Sequence, residues 1–413
     1  MSNLTDVQWI FIVLAILYIF ESHVWVRTGT IPFVRTQKMF RNPMGLRGSI
    51  GNESGKLQPA GWLPADTLIP VQPIPLTISE RGICGVTLSM PLLRQRGVQS
   101  GIVLTWDEAN ELKQDGHRLM FKNRTLCAVQ SPQLARLLKS KLLKIASLDT
   151  DQRGEAIEAF KDEAFDAEAV ADRVELWRRS TRRLCIASSM LFVWLFPVGL
   201  AKYADLLPIV QDWRSLIGYL VIGLIFWWWS VLEIYLAHRK LYRDQRASRW
   251  KMFFTGLISP VVPLRMRSTL ARDLLTFVHP VTFVIATARL RQQRCRATDD
   301  CEPAFTEAET IMIGQCLRDA THPGIPVLPD GCSEDALLFA QEDHRGTLER
   351  VQNLVDSAGL DRQHLLHYQA EDSHSRSYCP RCLTEFTINE AICVECGGIA
   401  TEPFEKREGM LPI

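Results

Sequence analysis

The chain is 413 residues long, enough for two or three domains. Its 47 Lys+Arg and 46 Asp+Glu leave a net charge of +1, which argues against a bulk electrostatic partner. That balance hides an asymmetry. Residues 178–296 carry 19 basic and 5 acidic side chains, and residues 298–377 carry 16 acidic and 5 basic. A split of this kind points to a membrane or polyanion near the basic part.

Residues 7–20, VQWIFIVLAILYIF, are uncharged and extend to Val26 as an N-terminal membrane anchor over 1–26. A bilayer core of about 30 Å needs roughly 20 helical residues. No basic residue precedes the run and no small-x-small site follows it, so an uncleaved anchor is expected rather than a signal peptide.

Residues 27–104 read as a Pro/Gly-rich, irregular cytosolic segment. GSIGNESGKL (48–57) lacks the first Gly of a phosphate loop, because Ile50 stands there, and Leu57 replaces the magnesium-binding hydroxyl. In IPVQPIPLTI (69–78) the prolines confine any strand to a sheet edge.

Residues 105–150 read as a small α+β unit. TWDEANELKQDG is expected as a short helix ended by Gly116, and HRLMFKNRTLCAVQ as a hairpin turning near Asn123. The helix from Ser131 and Pro132 puts Leu134, Leu137, Leu138, Leu142 and Leu143 on one face. Over 151–183, Ile157, Phe160, Ala164, Ala167, Ala171 and Val174 form one stripe of a juxtamembrane helix, bent in places, that leads into the next span.

Residues 184–237 read as a transmembrane hairpin, with apolar runs at 184–203 and 216–237. Basic clusters follow the first span (Arg27, Arg35, Lys38, Arg41), precede the second (RRSTRR, 178–183) and follow the third (HRKLYRDQRASRWK, 238–251). Short basic loops stay in the cytosol. This places the N-terminus outside and the C-terminus in the cytosol, in an integral protein expected in a bacterial inner membrane. The basic segment 238–296 adds two shorter runs, 252–264 and 274–288. Each is too short to span, and they are expected as interfacial or re-entrant helices on the cytosolic face.

Residues 297–376 form an acidic region with helical patterns at 305–319 and 333–369. His364 and His367 there are expected as a surface pair. The fold class expected is thus an α-helical multi-pass membrane protein with about three spans and two membrane-surface helices. It carries a small cytosolic α+β domain and a C-terminal metal module.

That module is SYCPRCLTEFTINEAICVECGG (377–398), with Cys379, Cys382, Cys393 and Cys396 in two Cys-x-x-Cys pairs ten residues apart. The other seven cysteines are scattered and odd in number, so a disulfide framework is not expected and a reducing compartment fits. Two such knuckles, brought together by a hairpin turning at Asn389-Glu390, complete a tetrahedral four-thiolate shell. Residues 377–403 resemble the small zinc-ribbon modules attached to many otherwise unrelated proteins. Leu383 departs from them, since Gly often stands there. The resemblance implies a structural zinc ion, with iron in the same ligand set as the alternative. Residues 404–413 are a tail.

Arg381 stands against Glu385, Glu390, Glu395 and Glu402 in the ribbon, so nucleic acid is not an expected partner. A cytosolic or membrane protein is, together with the lipid bilayer. The function expected is a membrane scaffold or regulator rather than an enzyme. The alternative is a membrane-embedded enzyme or transporter using Glu233 and His279, the two ionisable residues that stand out within apolar runs.

Overall fold

The computed structural model describes residues 9, 12–19, 31–33, 67–69, 73–88, 101–129, 132–199, 213–243, 245–295, 304–323, 334–370, 374–389 and 391–404. Residues 48–57 and Ser131 lie outside them. The chain divides into two compact units that cut across the order of the sequence.

The first unit takes in the described N-terminal residues and Asp172–Leu275. Residues 12–19 are helical. Strands β1 (Ile31–Phe33) and β2 (Thr67–Ile69) pair antiparallel, with Ile31 opposite Ile69.

In the second unit, β3 (Thr77–Ser79), β4 (Gly82–Cys84) and β5 (Val103–Leu104) form one antiparallel sheet with β3 at an edge, as its preceding prolines require. Strands β6 (Lys113–Asp115), β7 (Arg118–Phe121) and β8 (Arg124–Ala128) form another. Lys122 and Asn123 make the β7–β8 turn with φ of 45° and 64°, the two positive values that a tight right-twisting hairpin demands. The segment expected as a helix ending at Gly116 differs. A 3₁₀ turn over Asp107–Glu111 gives way to β6, and Gly116 serves the β6–β7 turn instead.

Helix α1 (Pro132–Ala146) covers this sheet with Leu134, Leu138, Leu142 and Ile145, while Leu137 stays 42% exposed. Helix α2 (Thr150–Asp162) adds Ile157 and Phe160 to the same core as Trp106, Leu119 and Phe277. The chain then bends. Asp166 Oδ1 accepts hydrogen bonds from the backbone N–H of Glu168 and Ala169, starting helix α3 (Ala167–Val193). All six apolar residues of the predicted stripe are buried, on both sides of the bend.

Helix α3 enters the first unit and ends in a π turn over Trp194–Val198, which contains Pro197. Helix α4 (Trp213–Leu241) follows. Two segments, Ala167–Val198 and Ile217–Leu241, are long and apolar enough to cross a membrane. Helices α5 (Arg246–Gly256) and α6 (Val262–Leu274) complete the unit.

Helix α7 (Pro280–Cys295) belongs to the second unit and carries most of the run 274–288. The expectation of a membrane-surface helix fails here. Pro280 through Ala288 are all buried, and Val281, Val284 and Ile285 pack against Ile313, Leu317, Val351, Val355 and Leu365. A helix that is apolar on every side is here enclosed by protein. Its partners are α8 (Glu307–Thr321), α9 (Glu334–Ser357) and the short α10 (Arg362–Leu366). A reciprocal capping box between Thr306 and Glu309 starts α8. Gly359, at φ 71°, lets the chain turn between α9 and α10.

Candidate metal centre

Two small hairpins build the site. Strand β9 (Ser377–Tyr378) pairs with β10 (Glu385–Phe386), so Cys379 through Thr384 form the turn between them. The N–H of Leu383 donates to Cys379 O, and that of Cys379 to Thr384 O, both at 2.9 Å. Strand β11 (Ile392–Cys393) pairs with β12 (Ile399–Ala400) around a 3₁₀ turn, Val394–Cys396. Strand β13 (Glu402–Pro403) returns to the other edge of β9. Each Cys-x-x-Cys therefore sits in its own hairpin. The single hairpin expected between the pairs is not formed, because β10 and β11 join different sheets.

Backbone conformation explains the residues after each knuckle. Gly397 and Gly398 have φ of 78° and 89°. Their N–H groups reach Val394 O and Cys393 O, and so close the turn rather than touching sulfur. Leu383, the departure from the glycine pattern, adopts φ 63°. It keeps the left-handed geometry that glycine takes without strain.

The four thiols are 0 to 8% exposed, and their Sγ atoms all lie within 4.8 Å of one another. Cys382 Sγ and Cys393 Sγ are 3.6 Å apart. Sulfurs at about 2.3 Å around a tetrahedral metal are about 3.8 Å apart, so the shell fits a single ion. Among the described residues, no other groups of this kind gather as metal ligands. His364 and His367 remain exposed.

Hydrogen bonding from the Cys379 thiol, then from Cys396, pulls Cys382 well below the usual thiol range. Its bond to Cys382 holds Cys379 above that range, and a bond with Cys379 does the same to Cys396. Burial pushes Cys393 up to about 12. A metal held by Cys379, Cys382, Cys393 and Cys396 would take the place of the thiol protons, since cysteine ligates as thiolate. Four cysteine ligands would fill a tetrahedral shell and leave no position for substrate or water.

The first knuckle also anchors the module. Arg381, fully buried, directs Nε to Asp319 Oδ1 of α8 at 3.0 Å. Gln315, one turn earlier on α8, donates to Arg381 O at 3.1 Å. Tyr368 donates to Glu385 and joins a ring cluster with Tyr378 and Phe404. None of this was legible in the sequence, where Arg381 counted only as a lone basic residue.

The other candidates lie elsewhere. Glu233 is buried in α4 of the first unit, at 7% exposure. His279 precedes α7 in the second unit, so the two form no joint site within either. His279 stacks on Phe165 at 4.9 Å, and its Nδ1 accepts from the Val281 N–H at 3.3 Å. Burial lowers its pKa to about 3, so the ring is neutral and caps the start of α7. No known protein family, curated protein or solved structure matches the chain.

Proposed function

We propose that this protein is an integral membrane scaffold or regulator whose zinc ribbon and acidic helices together dock a protein partner. The observation that carries the reading is the buried Arg381–Asp319 pair. It ties the four-cysteine module to helix α8, and this supports reading ribbon and helices as one docking unit. On the ribbon, Ile388, Ile392 and Val394 are 58, 62 and 86% exposed, apolar area of the kind that partners cover. Zinc is the proposed ion because a filled four-thiolate shell suits a structural role, and iron is the alternative for the same ligands.

The basic clusters flanking the apolar helices support a cytosolic ribbon and an outward N-terminus. The bilayer is then a partner, and nearly all the folded mass outside it lies on one face. Crosslinking pull-down from native membranes tests the docking role, comparing the intact chain with Cys393→Ser. The expected result is a protein captured by the intact chain and lost from the variant. An identical set from both removes the reading. Glu233→Gln is expected to leave capture unchanged, whereas an enzyme or transporter using Glu233, which is buried in an apolar helix, would lose activity.

A further inference from the structure

Helix α5 doubles back along α4. Near the start of α5, Tyr235 of α4 meets Trp250 and Phe253 at 5.3 and 6.1 Å. At its far end, the Trp227 indole N–H donates to Gly256 O at 2.9 Å. Gly256 is pressed onto α4, because a methyl group there would lie 3.1 Å from Ile234 Cδ1. The chain then turns through Ser259 and Pro260 and comes back as α6, where Leu270 O accepts from the Tyr242 hydroxyl at 3.0 Å. Both ends of this helical hairpin therefore lie at the basic end of α4, and its tip lies beside Trp227. The twelve helical steps from Trp227 to Arg239 measure about 18 Å. A tip that far in reaches the middle of a hydrocarbon core of about 30 Å.

The outer face of α5 and of the turn that follows it suits that depth. Trp250, Phe254 and Ile258 recur every fourth residue and are 47, 60 and 77% exposed, while Met252 and Gly256 face inward. On α4, Ile225, Trp228 and Leu232 are likewise 50 to 57% exposed. At its base stands a collar of exposed cations, Arg239, Lys240, Arg243, Arg246 and Lys251. We infer that α5 and α6 form a re-entrant hairpin whose outer face binds anionic phospholipid of the cytosolic leaflet. The acyl chains lie along Trp250, Phe254 and Ile258, and the headgroup phosphate lies on the collar. This rests on the membrane reading above. A basic collar closing an apolar strip matches a charged headgroup on a hydrocarbon tail, and it recruits anionic over zwitterionic lipid.

The test places the photo-crosslinking residue p-benzoylphenylalanine in the full chain at Phe254, Trp250, Trp228 or Leu338. The protein is reconstituted in phosphatidylcholine vesicles with a minor share of phosphatidylglycerol, and adducts are identified by mass. Lipid adducts are expected at 254, 250 and 228 and not at Leu338, a 57% exposed residue of the second unit. At 250, phosphatidylglycerol should exceed its mole fraction about fivefold, and Arg246→Gln with Lys251→Gln should remove most of that excess. Lipid at 228 but not at 254 overturns the hairpin and leaves the spans standing. Lipid at 254, with phosphatidylglycerol only at its mole fraction at 250, overturns the headgroup assignment. A protein adduct at 254 overturns the lipid occupant. No lipid at either 228 or 254 removes the membrane reading as well.

Discussion

Removing Arg381 tests how the ribbon is held. The side chain is fully buried, and Asp319 opposite it is 10% exposed, so neither charge is well hydrated. Arg381→Met replaces the guanidinium opposite the Asp319 carboxylate with an apolar group. Breaking a buried pair in this way costs about 3–5 kcal/mol, or roughly two to three and a half decades in a local opening constant. The pair itself is not optimal, because Nη1 and Nη2 of Arg381 have no hydrogen-bond partner. Replacing both members, Arg381→Met with Asp319→Leu, should therefore restore stability and bring a gain of up to about 4 kcal/mol. Hydrogen exchange of the α8 and ribbon amides in the full chain reads this directly. The single variant should exchange at least a hundredfold faster, and the double variant at the original rate or slower. A single variant that exchanges less than about tenfold faster would refute the reasoning.

Leu383→Gly should relieve left-handed strain of about 1–2 kcal/mol, less about 0.5–1 kcal/mol of added chain entropy, and slow metal loss to a chelator slightly; faster loss would count against the strain. His279 titrates near 3 in the folded chain, below its ordinary value, so the unfolded chain takes up the proton first. The second unit should thus lose stability as pH falls from about 6.5 toward 3, at up to about 1.4 kcal/mol per pH unit. His279→Asn keeps an acceptor for the Val281 N–H and should flatten that slope in pH-dependent unfolding. Arg291 grips both oxygens of Glu309, at 2.7 and 2.6 Å, across α7 and α8. Glu309→Gln should cost about 1–3 kcal/mol, measured as faster amide exchange at the start of α8.

What the sequence made legible were features encoded within a few residues. The spacing of the four cysteines, the Lys122-Asn123 turn and the long apolar run of α4 all depend on near neighbours. Features set by distant partners were not legible. The run 274–288 is apolar enough for a membrane surface, and only the arrival of Ile313, Val351 and Val355 encloses it. Arg381 counted only as one basic residue against four glutamates, because its partner Asp319 lies 62 residues away. The pattern at Leu383 was visible as a departure from glycine, but its φ of 63° was not. Gly359 breaks the helical pattern 333–369 because a backbone turn is needed there, which periodicity alone does not reveal.

X-ray absorption at the metal edge of the purified full chain tests the central claim most directly. The account predicts one zinc ion per chain, surrounded by four sulfurs at about 2.3 Å with no lighter ligand. A shell containing nitrogen or oxygen, or a folded chain that binds no metal, would contradict it.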